Sequence, residues 1–482
     1  MLVCFLAATT VRGEEYSLTL AECIARARML SVDAEVARGE LRAAYWQYRS
    51  YRAERLPEVL LDASLPSYHK QYSSYMNDRG EYSFVRNNYV DLNGSLSLSQ
   101  TIIPTGGKIS LSSSLDFLRQ LDGMPYNRFM SIPVSLTLEQ PIFGVNTPRW
   151  NSRIEPVRYR EAKAAYLTAT EQVAMAAIQH FFTLLLAREN ERIATQNHEN
   201  AEMLYQVAVE KRNLGEISKN DLLQMELNLL QASSELTDCT SSRKAAMFAL
   251  MTFLDFGEGM EILPVVPESV PDVEPDYDDV LGKALERNSL ADNLRRRQLE
   301  ADYEVAKAKG EMRQISVHAS IGYTGTDHNL SGAYSGLRSN QVVEVGISLP
   351  LLDWGTRRGR VRVAESNRKV VESRLKQESQ TFRQDLFVLT ERFVNQRRQL
   401  AIAERSDTIA ARRYQTNVET YLIGRLSTLD LNDSRSSKDQ ARRQYINELF
   451  NYWYYYYQLR SLTLWDFVRD APIEADFDAV IE

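Results

Sequence analysis

Along the chain the spacing of apolar residues switches between a helical period near 3.6 and a strand period of 2, and it does so twice. Residues about 33–55 and 290–312 carry Ala, Leu, Arg and Glu at helical spacing. Alternation then takes over. Val90, Leu92, Leu96 and Leu98 point one way while Asp91, Asn93, Ser95, Ser97 and Ser99 point the other. Ile109, Leu111, Leu115 and Phe117 repeat the pattern against Ser110, Ser112, Ser114 and Asp116. Val134–Glu139, Ile315–Ile321 and Val343–Leu349 repeat it again. These segments predict strands with one apolar and one Ser/Thr-rich face, about 57–65 and 88–140 in the first half and about 313–349 in the second. A soluble sheet alternates in the same way, but strands of about ten residues also suit a tilted membrane strand whose polar face lines water. Tyr68, Tyr72, Tyr75, Tyr82 and Tyr89 predict a tyrosine-rich loop at an interface or outer surface.

After Pro141-Ile-Phe-Gly144 and Pro350–Gly355, helical sequence runs almost without Gly or Pro to Leu214 and Ile423. About 70 helical residues reach roughly 100 Å, longer than a compact domain holds, so a coiled coil or tube is expected. Each run ends in a Gly turn from which Ser can start a return helix, predicting hairpins about 145–253 and 356–465.

The two turns are written alike. Tyr205 to Leu222 and Tyr414 to Leu431 share Tyr, Gln, Val, Glu, Gly, Ser, Asp and Leu without a gap, with Gly215 and Gly424 lying 209 residues apart. Leu41-Arg-Ala-Ala-Tyr45 is echoed more weakly by Leu299-Glu-Ala-Asp-Tyr303. A duplicated chain follows: a first repeat over 16–255, a Pro-rich connector over 256–277, a second repeat over 278–466 and a tail over 467–482. Residues 1–15 have the short apolar stretch and small residues of a signal-peptide remnant, without a basic start.

Composition narrows the function. Hydrophobic residues at 44% and charged residues at 25% are too polar for a bundle of membrane-spanning helices, so any membrane entry must use a barrel. A net charge of -7 argues against nucleic acid. Cys4, Cys23 and Cys239 are too scattered for a disulfide framework or a zinc site. The five histidines have no metal spacing and no nucleophile partner, and no phosphate loop is present, so neither an enzyme nor a cofactor is expected. Tyr452–Tyr457 holds six successive helical aromatics, which point all around the axis and suit packing rather than one stacking face.

This order, and above all Gly215-x-Ile-Ser-x-x-Asp221-Leu and Gly424-x-Leu-Ser-x-x-Asp430-Leu, resembles the TolC-like outer-membrane efflux proteins over about residues 16–466. The resemblance implies a mainly α protein with a β-barrel portion, in which a homotrimer shares one twelve-stranded barrel, four strands per protomer, above an α-helical tunnel. It implies residence in the bacterial outer membrane, amid its lipid, with the tunnel in the periplasm. It further implies an outer-membrane channel of a tripartite efflux or type I secretion system, a passive conduit docking with a periplasmic adaptor protein and an inner-membrane RND or ABC pump. Gly215, Ser218, Gly424 and Ser427 match the adaptor-contacting tips. Tyr421, Asp430, Asp433 and Asp221 match gate residues. The match is imperfect at Leu426, where some members have Arg and this chain has Arg425 one step earlier. The pair around Thr105–Gly107 gives six strand candidates where the family needs four. A coiled-coil scaffold with a soluble β subdomain is the alternative. Cargo, whether drug, metal or protein, has no signature in the chain.

Overall fold

The protein is described from a computed structural model covering residues 15–481 except 77–79, 123–124, 258–259, 313, 349–351, 423–424 and 427. The signal-peptide remnant therefore lies almost wholly outside the described residues.

The first half opens with β1 (Glu15–Leu18), α1 (Leu20–Leu30) and α2 (Val32–Ala53). Strands β2 (Glu58–Ala63), β3 (Ser67–Met76), β4 (Tyr82–Ile102), β5 (Gly107–Gln120) and β6 (Tyr126–Phe143) follow, then the long helix α3 (Thr147–Asn213) and its return α4 (Lys219–Phe253). The second half has β7 (Glu261–Pro264), α5 (Tyr277–Arg287), α6 (Ser289–Gly310), β8 (Gln314–Asp327), a short α7 (Leu330–Ser335), β9 (Arg338–Ser348), α8 (Thr356–Leu422) and α9 (Thr428–Thr463). Two two-residue strands, β10 (Trp465–Asp466) and β11 (Ala471–Pro472), and α10 (Phe477–Ile481) end the chain. The helices match in pairs: 11 residues in α1 and α5, 22 in α2 and α6, and 67 in α3 and α8. Thus α3 and α8 start and stop at positions 209 apart, the offset of the two Gly turns.

The chain forms two compact units, each drawn from both halves. One comprises 1–43, 161–291 and 378–482. Its core joins Cys23 and Ala27 of α1, Ala174, Ile178 and Phe181 of α3, Leu250 of α4, Val280 and Ala284 of α5, Leu386 and Phe393 of α8 and Leu459 of α9. Small residues on α1, α3 and α5 let the helices approach, and burial of the apolar stripes drives the packing. The Pro-rich connector contributes β7 to this unit, where it pairs in parallel with β1. In the aromatic run, Tyr452 and Tyr456 face this core while Trp453, Tyr454, Tyr455 and Tyr457 are only half-buried, as a helix turning 100° per residue requires. Glu171 is fully buried in this unit. Its carboxylate accepts hydrogen bonds from Arg28 Nη2 at 2.5 Å and Arg460 Nε at 2.8 Å, and Arg460 also donates to Asp466 at 2.7 Å.

The other unit comprises 44–160 and 292–377 and holds one antiparallel sheet in the order β2-β4-β5-β6-β8-β9. β3 also pairs with β4, above β2, so the two share one strand position interrupted at Ser64–Pro66. One finding differs from the sequence reading and a second from the family resemblance. The tyrosine-rich segment is not a loop: β3 and the first part of β4 form a hairpin whose aromatic and charged residues occupy both faces, which hides the alternation. The sheet also has six strand positions, two more than the four per protomer implied by the family resemblance, because the hairpin around Thr105–Gly107 is paired on both sides.

Register fixes the two faces, since side chains paired across strands share a face. Val59, Leu98, Leu111, Leu136 and Ile321 form one continuous row across five strand positions. The next residues along give Glu58, Ser99, Ser110, Thr137 and Ser320 on the opposite face. Among the described residues nothing covers the apolar row: Leu98, Leu111, Leu136 and Ile321 are 40%, 43%, 40% and 53% exposed. Among the described residues no helix is long and apolar enough to cross a membrane.

Candidate functional site

Those of the predicted tip and gate residues that are described sit at or beside the two helix-hairpin turns, both within the helical unit. The first turn is described throughout. Gly215 takes φ +80, a left-handed conformation that a side chain makes costly, and it follows the last residue of α3 by two. Its N–H donates to Arg212 O at 3.0 Å and that of Glu216 donates to Lys211 O at 2.9 Å, the paired bonds of a Schellman ending that satisfy two orphan carbonyls. Arg212 Nη1 donates to Ile217 O at 3.0 Å, bracing the turn.

Ser218 then caps α4. Its Oγ accepts from the Asp221 N–H at 3.1 Å, while the Asp221 carboxylate accepts from the Ser218 N–H at 3.1 Å and from Ser218 Oγ at 2.7 Å. This is a reciprocal capping box. The Ser218 hydroxyl and backbone N–H hold the Asp221 carboxyl below the usual carboxylate range by stabilising its ionised form. Asp221 is solvent-exposed. It is therefore a charged acid committed to its own helix start.

The second turn repeats the first as far as it is described. Arg425 N–H donates to Thr420 O at 3.1 Å, the counterpart, 209 residues on, of the Glu216 to Lys211 bond. Gly424 and Ser427 lie outside the described residues. Tyr421 occupies the last turn of α8, and its side chain also lies outside them. Asp430 is exposed in the first turn of α9. Asp433, one turn on, is exposed and accepts from Arg413 Nη2 on α8 at 2.8 Å. The two carboxylates thus share a helix face, as their i, i+3 spacing predicts. Arg413, the basic partner of Asp433, was missed by sequence reasoning: it lies 20 residues before its partner and only the closure of the hairpin brings them together. Among the described residues no group of acidic, His or Cys side chains is arranged to hold a metal.

The family model for outer membrane efflux proteins matches residues 24–254 and 280–463. The chain belongs to the outer membrane efflux protein family. Solved structures agree on the fold. The CmeC outer membrane channel of Campylobacter jejuni superposes with a TM-score of 0.65 at 18% identity, covering 96% of this chain and 88% of that one. The outer membrane protein VceC of Vibrio cholerae gives 0.61 at 14% identity over 94% and 97%. The open-state MtrE outer membrane channel of Neisseria gonorrhoeae gives 0.58 at 15% identity over 95% and 91%. No curated protein matches the chain in sequence. The efflux family, the paired long hairpins and the sheet with an uncovered apolar face together make this an outer-membrane efflux channel protein, mainly α with a β-barrel portion. Of these neighbours, CmeC and MtrE are outer membrane channels.

Proposed function

We propose that the chain is one protomer of a homotrimeric channel serving a tripartite efflux or type I secretion system, a passive conduit across the periplasm and outer membrane. The observation that carries this is the repeated helix ending: two 67-residue helices are each followed by the same backbone hydrogen bond, Glu216 to Lys211 and Arg425 to Thr420, at the same offset, in a chain that also exposes a continuous apolar sheet face. One copy cannot finish such a sheet in lipid, because an open edge leaves unpaired N–H and C=O groups that cost several kcal/mol each. Three copies arranged about an axis would close it and gather six hairpins into a tunnel. A coiled-coil scaffold with a soluble sheet leaves the apolar row without a partner.

In this mechanism the tips around Gly215, Ser218, Gly424 and Ser427 receive a periplasmic adaptor, and an inner-membrane RND or ABC pump behind it supplies the energy. The rigid Schellman turn and capping box of the first hairpin offer the adaptor a fixed shape. Asp430 and Asp433 from each copy line the narrowest ring, with Asp221 beside it and Tyr421 holding the hairpins closed. Like charges gathered there recruit cations, since a pair at close range repels by about 1 kcal/mol even in water. Arg413 lowers the charge of the resting ring by engaging Asp433.

Planar-bilayer recording of the detergent-purified trimer tests it. Replacing Asp430 and Asp433 together by Asn is expected to lower cation selectivity and weaken block by multivalent cations, and Tyr421→Ala to raise resting conductance. Wild-type selectivity and block in the Asn pair would place the ring elsewhere. A soluble monomer, recovered folded without detergent, would remove the channel assignment altogether.

A further inference from the structure

The segment between α2 and α3 spans residues 54–146, whereas its counterpart between α6 and α8 spans only 311–355, although the flanking helices match in length. The excess is a whole additional hairpin of strands, and the structure shows where it goes. β4 pairs with β5 over fourteen positions, and β5 in turn pairs with β6. The turn that joins β4 to β5 is held at the foot of the sheet. Asn146, just before α3, donates from Nδ2 to Ile103 O at 2.9 Å and to Pro104 O at 3.0 Å, while its Oδ1 accepts from the Arg149 N–H at 2.9 Å. Gln140 Nε2 on β6 donates to Thr105 O at 3.1 Å. Gly106 takes φ +76 there, and a Cβ on Gly107 would overlap the Gln140 side chain. The turn is thus built to sit against the strand-to-helix junction of β6.

The faces agree with this placement. The apolar row does not stop at the extra hairpin: Leu98 of β4 and Leu111 of β5 stand between Val59 of β2 and Leu136 of β6, and the opposite row carries Ser99 and Ser110 between Glu58 and Thr137. A hairpin folded over the mouth or into the lumen would have no reason to keep an exposed apolar face in line with the neighbours that meet lipid. Among the described residues both outer positions of the sheet are open, β2 and β3 on one side and β9 on the other. Five successive antiparallel pairings separate them, so β9 runs opposite to β2 and can pair antiparallel with that edge of a second copy.

We propose that all six strand positions of this chain belong to the membrane wall, and that three copies close edge to edge, β9 against the neighbour's β2 and β3, into a barrel of eighteen strands rather than twelve. This rests on the trimeric channel proposed above. An all-antiparallel wall with an even number of strands leaves no edge in lipid, and its perimeter is about half again that of twelve strands at equal tilt, since width grows with strand number.

The test uses single cysteines carrying nitroxide labels in the full-length protein, in a Cys4→Ser, Cys23→Ser, Cys239→Ser background reconstituted into vesicles. Leu98→Cys and Leu111→Cys report on the extra hairpin. Leu136→Cys and Ile321→Cys report on β6 and β8 at the same depth, and Ser99→Cys and Ser110→Cys on the opposite face. The labels at 98 and 111 should show the same preference for oxygen over a water-soluble nickel chelate as those at 136 and 321, and the labels at 99 and 110 the reverse. If 98 and 111 meet nickel while 136 and 321 stay in lipid, the hairpin lies outside the wall and the eighteen-strand barrel is wrong, although the channel stands. If 136 and 321 also meet nickel, the membrane channel itself is wrong. Electron cryo-microscopy of the unsubstituted protein in a lipid nanodisc gives a count free of variants: eighteen strands support the proposal and twelve overturn it.

Discussion

Glu171 gives the sharpest test of how the helical unit is held together. It is fully buried, its carboxylate is shared by Arg28 and Arg460, and Arg460 is itself 9% exposed. Those groups belong to α3, α1 and α9, so one carboxylate ties the two halves of the chain. Replacing Glu171 by Ala strands buried positive charge, and breaking such a network costs about 3–5 kcal/mol. The expected loss lies at the lower end, about 3 kcal/mol, because Arg460 keeps Asp466 at 2.7 Å and the Arg28 side chain is 30% exposed and can rehydrate. Native-state hydrogen exchange on the detergent-purified protein reads this directly: amides of α3 near 171 and of α9 near 460 should exchange over a hundredfold faster, since about 1.4 kcal/mol is a factor of ten. Arg158→Ala is the control. That residue bridges Glu155 and Glu300 at 2.7 and 2.9 Å, but its side chain is 44% exposed, so it should cost at most about 1 kcal/mol. Removing charge from both sides, with Glu171→Leu and Arg460→Met together, should recover part of the loss, because a buried pair replaced by apolar groups of similar size is often neutral. Acceleration below tenfold in Glu171→Ala would show that water or another partner satisfies the arginines, and the network would not be what fixes the helices.

Further expectations concern the turns and the pH response. Gly215→Ala should destabilise the first hairpin by about 1–2 kcal/mol through backbone strain alone, because a Cβ there meets nothing within 4 Å; thermal unfolding with and without the substitution measures it. Ser218→Ala removes the cap, and the first-turn amides of α4 should exchange roughly fivefold faster. The Asp221 carboxyl is held low by Ser218, so its contribution is present above the ordinary Asp range and is lost as pH falls through the lowered value; first-turn protection in wild type should fade in that acid window, and less so in Ser218→Ala. Burial beside Phe253 holds His180 below its ordinary value, so the unfolded chain takes up its proton first and stability should decline as pH drops below about 6.5; His180→Phe should flatten that part of the melting-temperature profile.

What the sequence made legible was whatever a local period encodes. Leu98 against Ser99 and Leu111 against Ser110 follow from a repeat of two, and the long helices follow from the near absence of breakers, with Pro156 near the start of α3 and Gly359 near the start of α8 as exceptions. The β3 segment escaped because Tyr68, Lys70 and Tyr72 share a face and His69, Gln71 and Ser73 the other, so neither face reads as apolar. Contacts across the sequence escaped as well: nothing local couples Glu171 to Arg460, 289 residues away. The site shows the same division. Ser218-x-x-Asp221 is at once a capping box and a match to a gate carboxylate, and one motif cannot separate the uses. Comparing the halves does separate them. Asp430 stands where Asp221 stands, at a helix start where an acid suits the dipole in either half. Asp433 has no such counterpart, because 209 residues earlier the chain has Gln224, and its partner Arg413 corresponds to Leu204. Capping alone would have left both hairpins alike. An acid and a base added together, one turn below the cap and only in the second half, set the two hairpins apart in charge, and that difference makes the second hairpin the place to look for the gate.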